Sequence, residues 1–399
     1  MTDSRVGSSY FSRRAAVKPK GQVREIGSFD YTILLVVSFL ALIGVIMVFS
    51  ASHMIAANRA VFGNDPYYFL RRNGVFAALG FAVMMAASFV SYEYLRKWAR
   101  VIFIIAIGML AFVLVGGFAA GGHQRWIEIP VIGQFQPSEL ARAAVIFIMA
   151  YGVEKYPNAL STWGGFFRFC ALVGVVAALI YIPGGFSTSL IAASIGFGMI
   201  FIASPFFWRY VLVGGALAGG VAGYLWYQLA FGGGAGAFRG ARVSAWLDPF
   251  SDPLGVGFQT IQSLYAIASG GLLGLGIGNS RQASFIPEPH NDIIFAIIVE
   301  ELGLIGAGLI LVLFGVLIWR GVLVALNAPD TFSSMAAIGI VLAFALPAII
   351  NVAVVTNTIP NTGVNLPFIS YGGTSLMVSM ALAGVLLNIS RYAKRDFTT

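Results

Sequence analysis

Five ionisable side chains fall inside one short stretch of a chain that otherwise carries little charge. The stretch is Phe285 to Gly303, FIPEPHNDIIFAIIVEELG, and the five are Glu288, His290, Asp292, Glu300 and Glu301. Only 10% of the residues are charged, whereas 58% are apolar. Ionisable groups at the mouth of a hydrophobic helix suggest function, because burying them in an apolar setting is costly. A second reading carries equal weight at this point. Asn291 or Asp292 would make a good N-cap, and acids suit the positive end of the helix dipole. Of the acids, Asp292 is the best placed for proton transfer. At the edge of a membrane, desolvation raises a carboxylate's pKa towards the range of a general base. Glu300 lies eight residues further on, about 12 Å along a helix axis and about 80° round it. The two acids therefore cannot share one reacting atom, and Glu300 and Glu301 are expected to hold neighbouring helices or to line a deeper cavity.

The elements that must position these groups are membrane helices. The mean hydropathy of the 399 residues is +0.86, which no soluble domain would show. A single cysteine, Cys170, excludes an intramolecular disulfide. The three histidines, His53, His123 and His290, have no metal-ligand spacing. The net charge of +8 fits anionic lipid headgroups and the positive-inside rule better than nucleic acid. Residues 1–30 are polar and basic and read as a disordered cytoplasmic tail, with no signal-peptide core.

Ten stretches are long and apolar enough to span a bilayer: about 31–50, 73–91, 100–118, 138–153, 165–183, 187–204, 209–228, 293–319, 334–355 and 373–391. The expected fold is thus all-α, a ten-span membrane domain over 31–392 followed by a short cytoplasmic tail, 393–399. An even count puts both termini on one side. Arg96, Lys97, Arg100, Lys155, Arg168, Arg209, Arg320 and Arg391 mark that side as cytoplasmic, while Arg71 and Arg72 run against the rule. Residues 229–292 then form one large outer loop. It opens on a flexible GGGAG (Gly232–Gly236) and ends in an apolar, glycine-broken piece, Gly257–Ser280, that reads as a re-entrant or interfacial helix.

Three further outer segments are polar. Gly121–Arg142 contains Glu139 and Arg142, three apart on one helix face. They form either an ion pair holding the helix start or a pair facing a cavity. Ile359–Leu376 carries two prolines and several glycines, and such backbone survives at membrane depth only against protein or a wet cavity. The turn Tyr181–Ser189 bears hydroxyls and glycines without charge. No GxxxxGK[ST] loop occurs.

In combination, FSAS (Phe49–Ser52), FQPSELAR (Phe135–Arg142), Asp252–Ser280, FIPEPHNDIIFAIIVEELG and LPFISYGG (Leu366–Gly373) resemble the SEDS family of shape, elongation, division and sporulation proteins, which includes FtsW, RodA and SpoVE. The resemblance runs from about Asp30 to Tyr392. It implies a ten-span peptidoglycan glycosyltransferase that polymerises lipid II at the outer face of the bacterial cytoplasmic membrane. A class B penicillin-binding protein, a transpeptidase, is the implied partner. The family's essential aspartate matches Asp292. The substrate-binding candidates are Arg125, Gln136, Ser138, Glu139, Arg142, Arg239, Arg242, Glu288, His290, Ser370 and Tyr371. The leaving undecaprenyl pyrophosphate needs positive charge, for which Arg125, Arg142, Arg239 and Arg242 are the outer-side candidates, helped by a divalent cation such as Mg or Mn.

The chain departs from the family pattern in three places. Asn291 replaces the usual threonine of HTD, Arg142 replaces the lysine of QPSEL-x-K, and Pro183-Gly184 replaces a Pro-Asp pair. Arginine and lysine are not equivalent at a tight site. A lipid II flippase or a non-catalytic divisome or elongasome scaffold would place polar groups inside such a bundle equally well.

Overall fold

The computed structural model describes residues 27–120, 123–129, 133–206, a few positions between 208 and 223, and 243–393. Ten α-helices organise them: α1 (Tyr31–Asn58), α2 (Tyr68–Phe89), α3 (Tyr92–Gly116), α4 (Pro137–Lys155), α5 (Trp163–Tyr181), α6 (Phe186–Ala203), α7 (Phe258–Gly270), α8 (Ile294–Asn327), α9 (Thr331–Val355) and α10 (Gly373–Tyr392). All but α4 and α7 are long and apolar enough to cross a membrane. The chain is a multi-pass membrane protein. The expected span 209–228 falls largely outside the described residues, as do the tail 1–26, the GGGAG segment and 394–399.

Helix α4 has the length of a span but holds four charged residues. It is central all the same, with Val145, Ile146, Met149 and Ala150 fully enclosed. Between α3 and α4 the expected loop contains instead a three-stranded antiparallel sheet, β1 (Phe118–Ala120), β2 (His123–Ile129) and β3 (Gly133–Phe135). It is a small departure from an all-α chain. Several helices also start earlier than hydropathy predicts. α2 begins at Tyr68 and α3 at Tyr92, because amphipathic and aromatic residues extend a helix beyond its apolar run.

The two ends of the bundle are fastened differently. At the end carrying both termini, Asp30 caps α1 by accepting from the Thr32 and Ile33 amides, and its other oxygen pairs with Arg320 at 2.7 Å. Asp330 caps α9 and takes the Tyr92 hydroxyl at 2.8 Å. Asn388 of α10 bonds the Tyr92 amide and the Ser88 carbonyl, so it holds the α2–α3 turn.

At the opposite end the chain is irregular, and one long helix is opened to receive it. α8 is broken at Gly303, whose backbone lies at φ +70°. The carbonyls of Glu300 and Glu301 accept from the amides of Leu275 and Gly276 at 2.9 and 3.0 Å. The Leu304 and Ile305 amides donate in turn to the carbonyls of Gly271 and Leu272 at 2.9 and 3.2 Å. These are the groups that would pair with one another in an unbroken helix. The glycine-rich loop after α7 therefore takes over the helix's own bonds, which satisfies the backbone of both segments away from water.

The two glutamates complete this joint. Glu300 accepts from the hydroxyls of Ser269 and Ser280 and from the amides of Arg281 and Gln282. Glu301 accepts from the Ser50 hydroxyl at 2.6 Å and the Ser280 amide, while the Gly278 amide donates to the Ser50 oxygen. Both acids are enclosed, and among the described residues neither has a basic partner. They bind α1 to the inserted loop.

Candidate active site

The segment 285–293 closes the inserted loop and leads into α8. Ile286 is buried and Glu288 takes a left-handed turn conformation, φ +53°. The Glu288 carboxylate accepts from the Asn291 side-chain amide at 2.7 Å, and its carbonyl from the Asn291 main chain at 3.0 Å. The helix begins at Ile294, so the cap position falls on Ile293 and not on Asn291 or Asp292. The capping role open to these residues in the sequence is therefore not the one they take. Asp292 is half-buried, one residue outside the cap.

A second irregular segment, 356–372, lies against it. The Tyr371 amide donates to the His290 carbonyl at 2.9 Å. Ser370, an expected binding residue, is buried, and its oxygen accepts from the Leu366 amide at 2.7 Å, so it shapes the turn. Gly363, at φ +67°, comes so near Asp292 that a Cβ there would lie 3.6 Å from Oδ2. Asn351 of α9 sits beneath both segments, and its amide nitrogen donates to the carbonyls of Asp292 and Val364, each at 2.7 Å. From α6, the Ser187 hydroxyl bonds the Thr362 carbonyl. From α7, Gln259 accepts from Asn361 at 2.9 Å.

His290 is wedged between Phe69 and Tyr371, with ring centroids 4.4 and 5.4 Å away. Burial, helped by the nearby Arg59 charge, pushes its pKa down to about 4. Burial likewise raises that of the Tyr371 phenol, against the pull of Arg72. The imidazole is thus neutral at physiological pH and is not a cation for an anionic substrate. Arg59 and Arg72 are the cations that act on this pair. Arg72 bonds the Tyr68 hydroxyl at 3.0 Å, and among the described residues neither arginine has a carboxylate partner.

The other expected binding residues lie further along the same end of the bundle. Arg142 is paired with Glu139 inside the protein, the ion-pair arrangement of the two open in the sequence. Arg125 donates to the carbonyls of Pro183 and Gly184, fastening β2 to the α5–α6 turn. It lines a cavity with Gln136, Ser138, Pro183, Gly185 and Thr188. That cavity measures about 20 Å³, room for about one water and too small for a diphosphate. Arg239 and Arg242 lie outside the described residues. Among the described residues no three His, Cys, Asp or Glu side chains converge as a metal cluster.

Comparison with known proteins fixes the family. A profile for the cell cycle proteins FtsW, RodA and SpoVE matches residues 30–395. The chain belongs to the FtsW/RodA/SpoVE family. It is 38% identical over 369 residues to stage V sporulation protein E of Bacillus subtilis, covering 92% of this chain and 98% of that one. It is 38% identical over 378 residues to a probable peptidoglycan glycosyltransferase FtsW of Geobacter sulfurreducens, covering 93% and 98%. Among solved structures it resembles a chain of a peptidoglycan synthase complex described for the coordination of polymerization and crosslinking. That match has a TM-score of 0.74 at 28% identity and covers 92% and 99% of the two chains. It shares the fold of Thermus thermophilus RodA, with a TM-score of 0.66 at 24% identity and coverage of 92% and 98%.

Within this family member, sequence reasoning missed Arg59, Arg72 and Asn351. Arg72 was visible only as a charge against the positive-inside rule. An asparagine in the apolar run of α9 was the one signal of Asn351. Arg59 left none, since nothing in its surroundings in the chain points to His290.

Proposed function

We propose that this chain is a peptidoglycan glycosyltransferase that polymerises lipid II, with Asp292 as its general base. The observation that carries the reading is the placement of Asp292. It is a half-buried carboxylate on a loop pinned through its own carbonyl, beside the Gly363 backbone and two residues from His290, on which the Arg59 charge acts. The membership of a family whose relatives are named peptidoglycan glycosyltransferase agrees with it.

Asp292 takes the proton of the 4-hydroxyl on the acceptor's N-acetylglucosamine. The freed oxygen pair attacks C1 of the N-acetylmuramic acid at the end of the lipid-linked glycan. A C–O bond forms, the bond from C1 to the phosphate oxygen breaks, and undecaprenyl pyrophosphate departs with that electron pair. The charge that develops on the leaving diphosphate calls for preorganised positive groups. Arg59 and Arg72, which hold no carboxylate among the described residues, suit this better than Arg142, whose charge is paired with Glu139. A divalent cation, Mg or Mn, would enter with the diphosphate, in keeping with magnesium's preference for phosphates plus one or two carboxylates.

The protein works in the bacterial cytoplasmic membrane with both termini in the cytoplasm. The basic residues around Arg96, Lys155, Arg209, Arg320 and Arg391 at the termini-bearing end support that orientation. The site then faces outward, where a class B penicillin-binding protein receives the glycan. The deciding experiment is lipid II polymerisation in liposomes by wild type and Asp292→Asn, each with and without that partner. Wild type should make glycan strands and Asp292→Asn should be slower by on the order of 10²–10⁴-fold. Polymer from Asp292→Asn at the wild-type rate would remove the base from this carboxylate. Lipid II translocation without polymer, from folded wild type with its partner, would make the chain a flippase. Neither activity would make it a scaffold.

A further inference from the structure

Asn351 is a side chain the chemistry above does not touch, yet its placement determines where the base stands. It is fully enclosed near the end of α9. An asparagine amide has two N–H donors and one carbonyl acceptor. Here both hydrogens are engaged, one by the carbonyl of Asp292 and one by that of Val364, each at 2.7 Å. The Oδ1 atom is buried without a partner among the described residues. Turning the amide over would set that oxygen against two carbonyl oxygens, so the two acceptors fix the orientation by themselves.

The two carbonyls belong to different irregular segments, 59 and 13 residues away from Asn351 in the chain. One segment carries the Asp292 carboxylate. The other carries Gly363, whose backbone approaches that carboxylate, and Thr362, whose carbonyl is held from α6 by Ser187. Neither segment has a regular ladder at this point to fix its position. The helix cap offers no substitute, since Ile293 has no capping side chain. The Tyr371 amide joins the two segments at His290, and Asn351 joins them at Asp292 itself, so one side chain on a transmembrane helix sets the spacing between the aspartate and the strip that faces it.

We infer that Asn351 is a positioning residue for the transfer step: a two-carbonyl clamp that holds Asp292 in register with the 362–364 strip. The inference rests on the reading of Asp292 as the base. Its consequence is specific, because a clamp on the base acts on turnover more than on substrate capture. A displacement of about 1 Å at a reacting group costs on the order of 10²-fold in rate. Asn351→Ala removes both donors, whereas Asn351→Ser keeps one hydroxyl donor on a small side chain.

The test uses the full chain with its class B penicillin-binding partner in liposomes, with lipid II as substrate. Wild type, Asn351→Ser, Asn351→Ala and Asp292→Asn are compared for kcat and KM, with thermal melting and partner binding measured on the same preparations. Asn351→Ala should lower kcat by on the order of 10²-fold with KM within about threefold of wild type and the partner still bound, and Asn351→Ser should fall between the two. Should Asn351→Ala fail to fold, Asn351→Ser decides alone, with a loss of kcat at unchanged KM. Wild-type kcat in the folded variants overturns the clamp. So does a loss of apparent kcat that simply follows the fraction of folded protein and vanishes when the rate is counted per folded molecule. An active Asp292→Asn overturns the base itself, whereas an inactive Asp292→Asn beside a fully active Asn351→Ala overturns only the clamp.

Discussion

His290, two positions from the proposed base, is a histidine that the fold keeps neutral. It is 4% exposed, packed on Phe69 and Tyr371, and its Nδ1 has no partner among the described residues. Burial first and Arg59 second hold its pKa at about 4 against an ordinary 6.5. Between those two values the unfolded chain binds the proton and the fold does not. The stability this group confers is therefore complete above about 6.5 and is lost as the pH falls towards 4. A difference of that size corresponds to about 3 kcal/mol. Melting of the purified chain in detergent should drop more steeply from about pH 7 to about pH 5 for wild type than for His290→Gln. Parallel curves would show that the ring is not the group that titrates. At this scale the sequence marked Asp292 and its neighbours, because an acid in an apolar setting stands out. It could not assign the arginines, since whether a guanidinium is free depends on which carbonyl or carboxylate lies opposite.

The break in α8 belongs to the scale of elements. A strip of glycines after α7 and one glycine inside α8 let two backbones meet closely enough to exchange helix bonds. A Cβ on Gly303 would lie 2.3 Å from the Leu272 carbonyl oxygen and 2.4 Å from the Gly274 nitrogen, and φ +70° is unfavourable for any other residue. Gly303→Ala should cost about 3 kcal/mol or more and lower the melting temperature accordingly. An unchanged melting temperature would mean that the loop is not seated in the helix. The joint also carries Glu300 and Glu301 and, a few residues on, leads into the Asp292 loop. Glycine spacing in the sequence pointed to a re-entrant or interfacial piece, and Glu300 and Glu301 to holding neighbouring helices or lining a deeper cavity. That the piece enters a neighbouring helix and takes its hydrogen bonds was not legible, because the pairing joins residues far apart in the chain.

Across the whole molecule, the two ends are built differently. The termini-bearing end is closed by side chains that bridge distant helices, Asp30 with Arg320 above all, and the opposite end is built of loops that meet around Asp292. Asp30→Ala removes both the α1 cap and the pair with Arg320, so it should destabilise the fold by about 1–3 kcal/mol. Arg320→Met should cost less in the Asp30→Ala background than in wild type, and additive losses of melting temperature would refute the coupling. The sequence by itself determined that this chain is a helical membrane protein, which stretches are apolar enough to span, and where acids interrupt them. Hydropathy and charge are local properties, and a bilayer rewards them one segment at a time. Only the tertiary structure decided, among the described residues, which arginines are paired with a carboxylate and which are not. It also decided that the 118–135 segment forms a sheet, that α8 opens at Gly303, and that Asn351 stands under Asp292. Those outcomes depend on contacts between residues tens to hundreds of positions apart, which neither periodicity nor composition records.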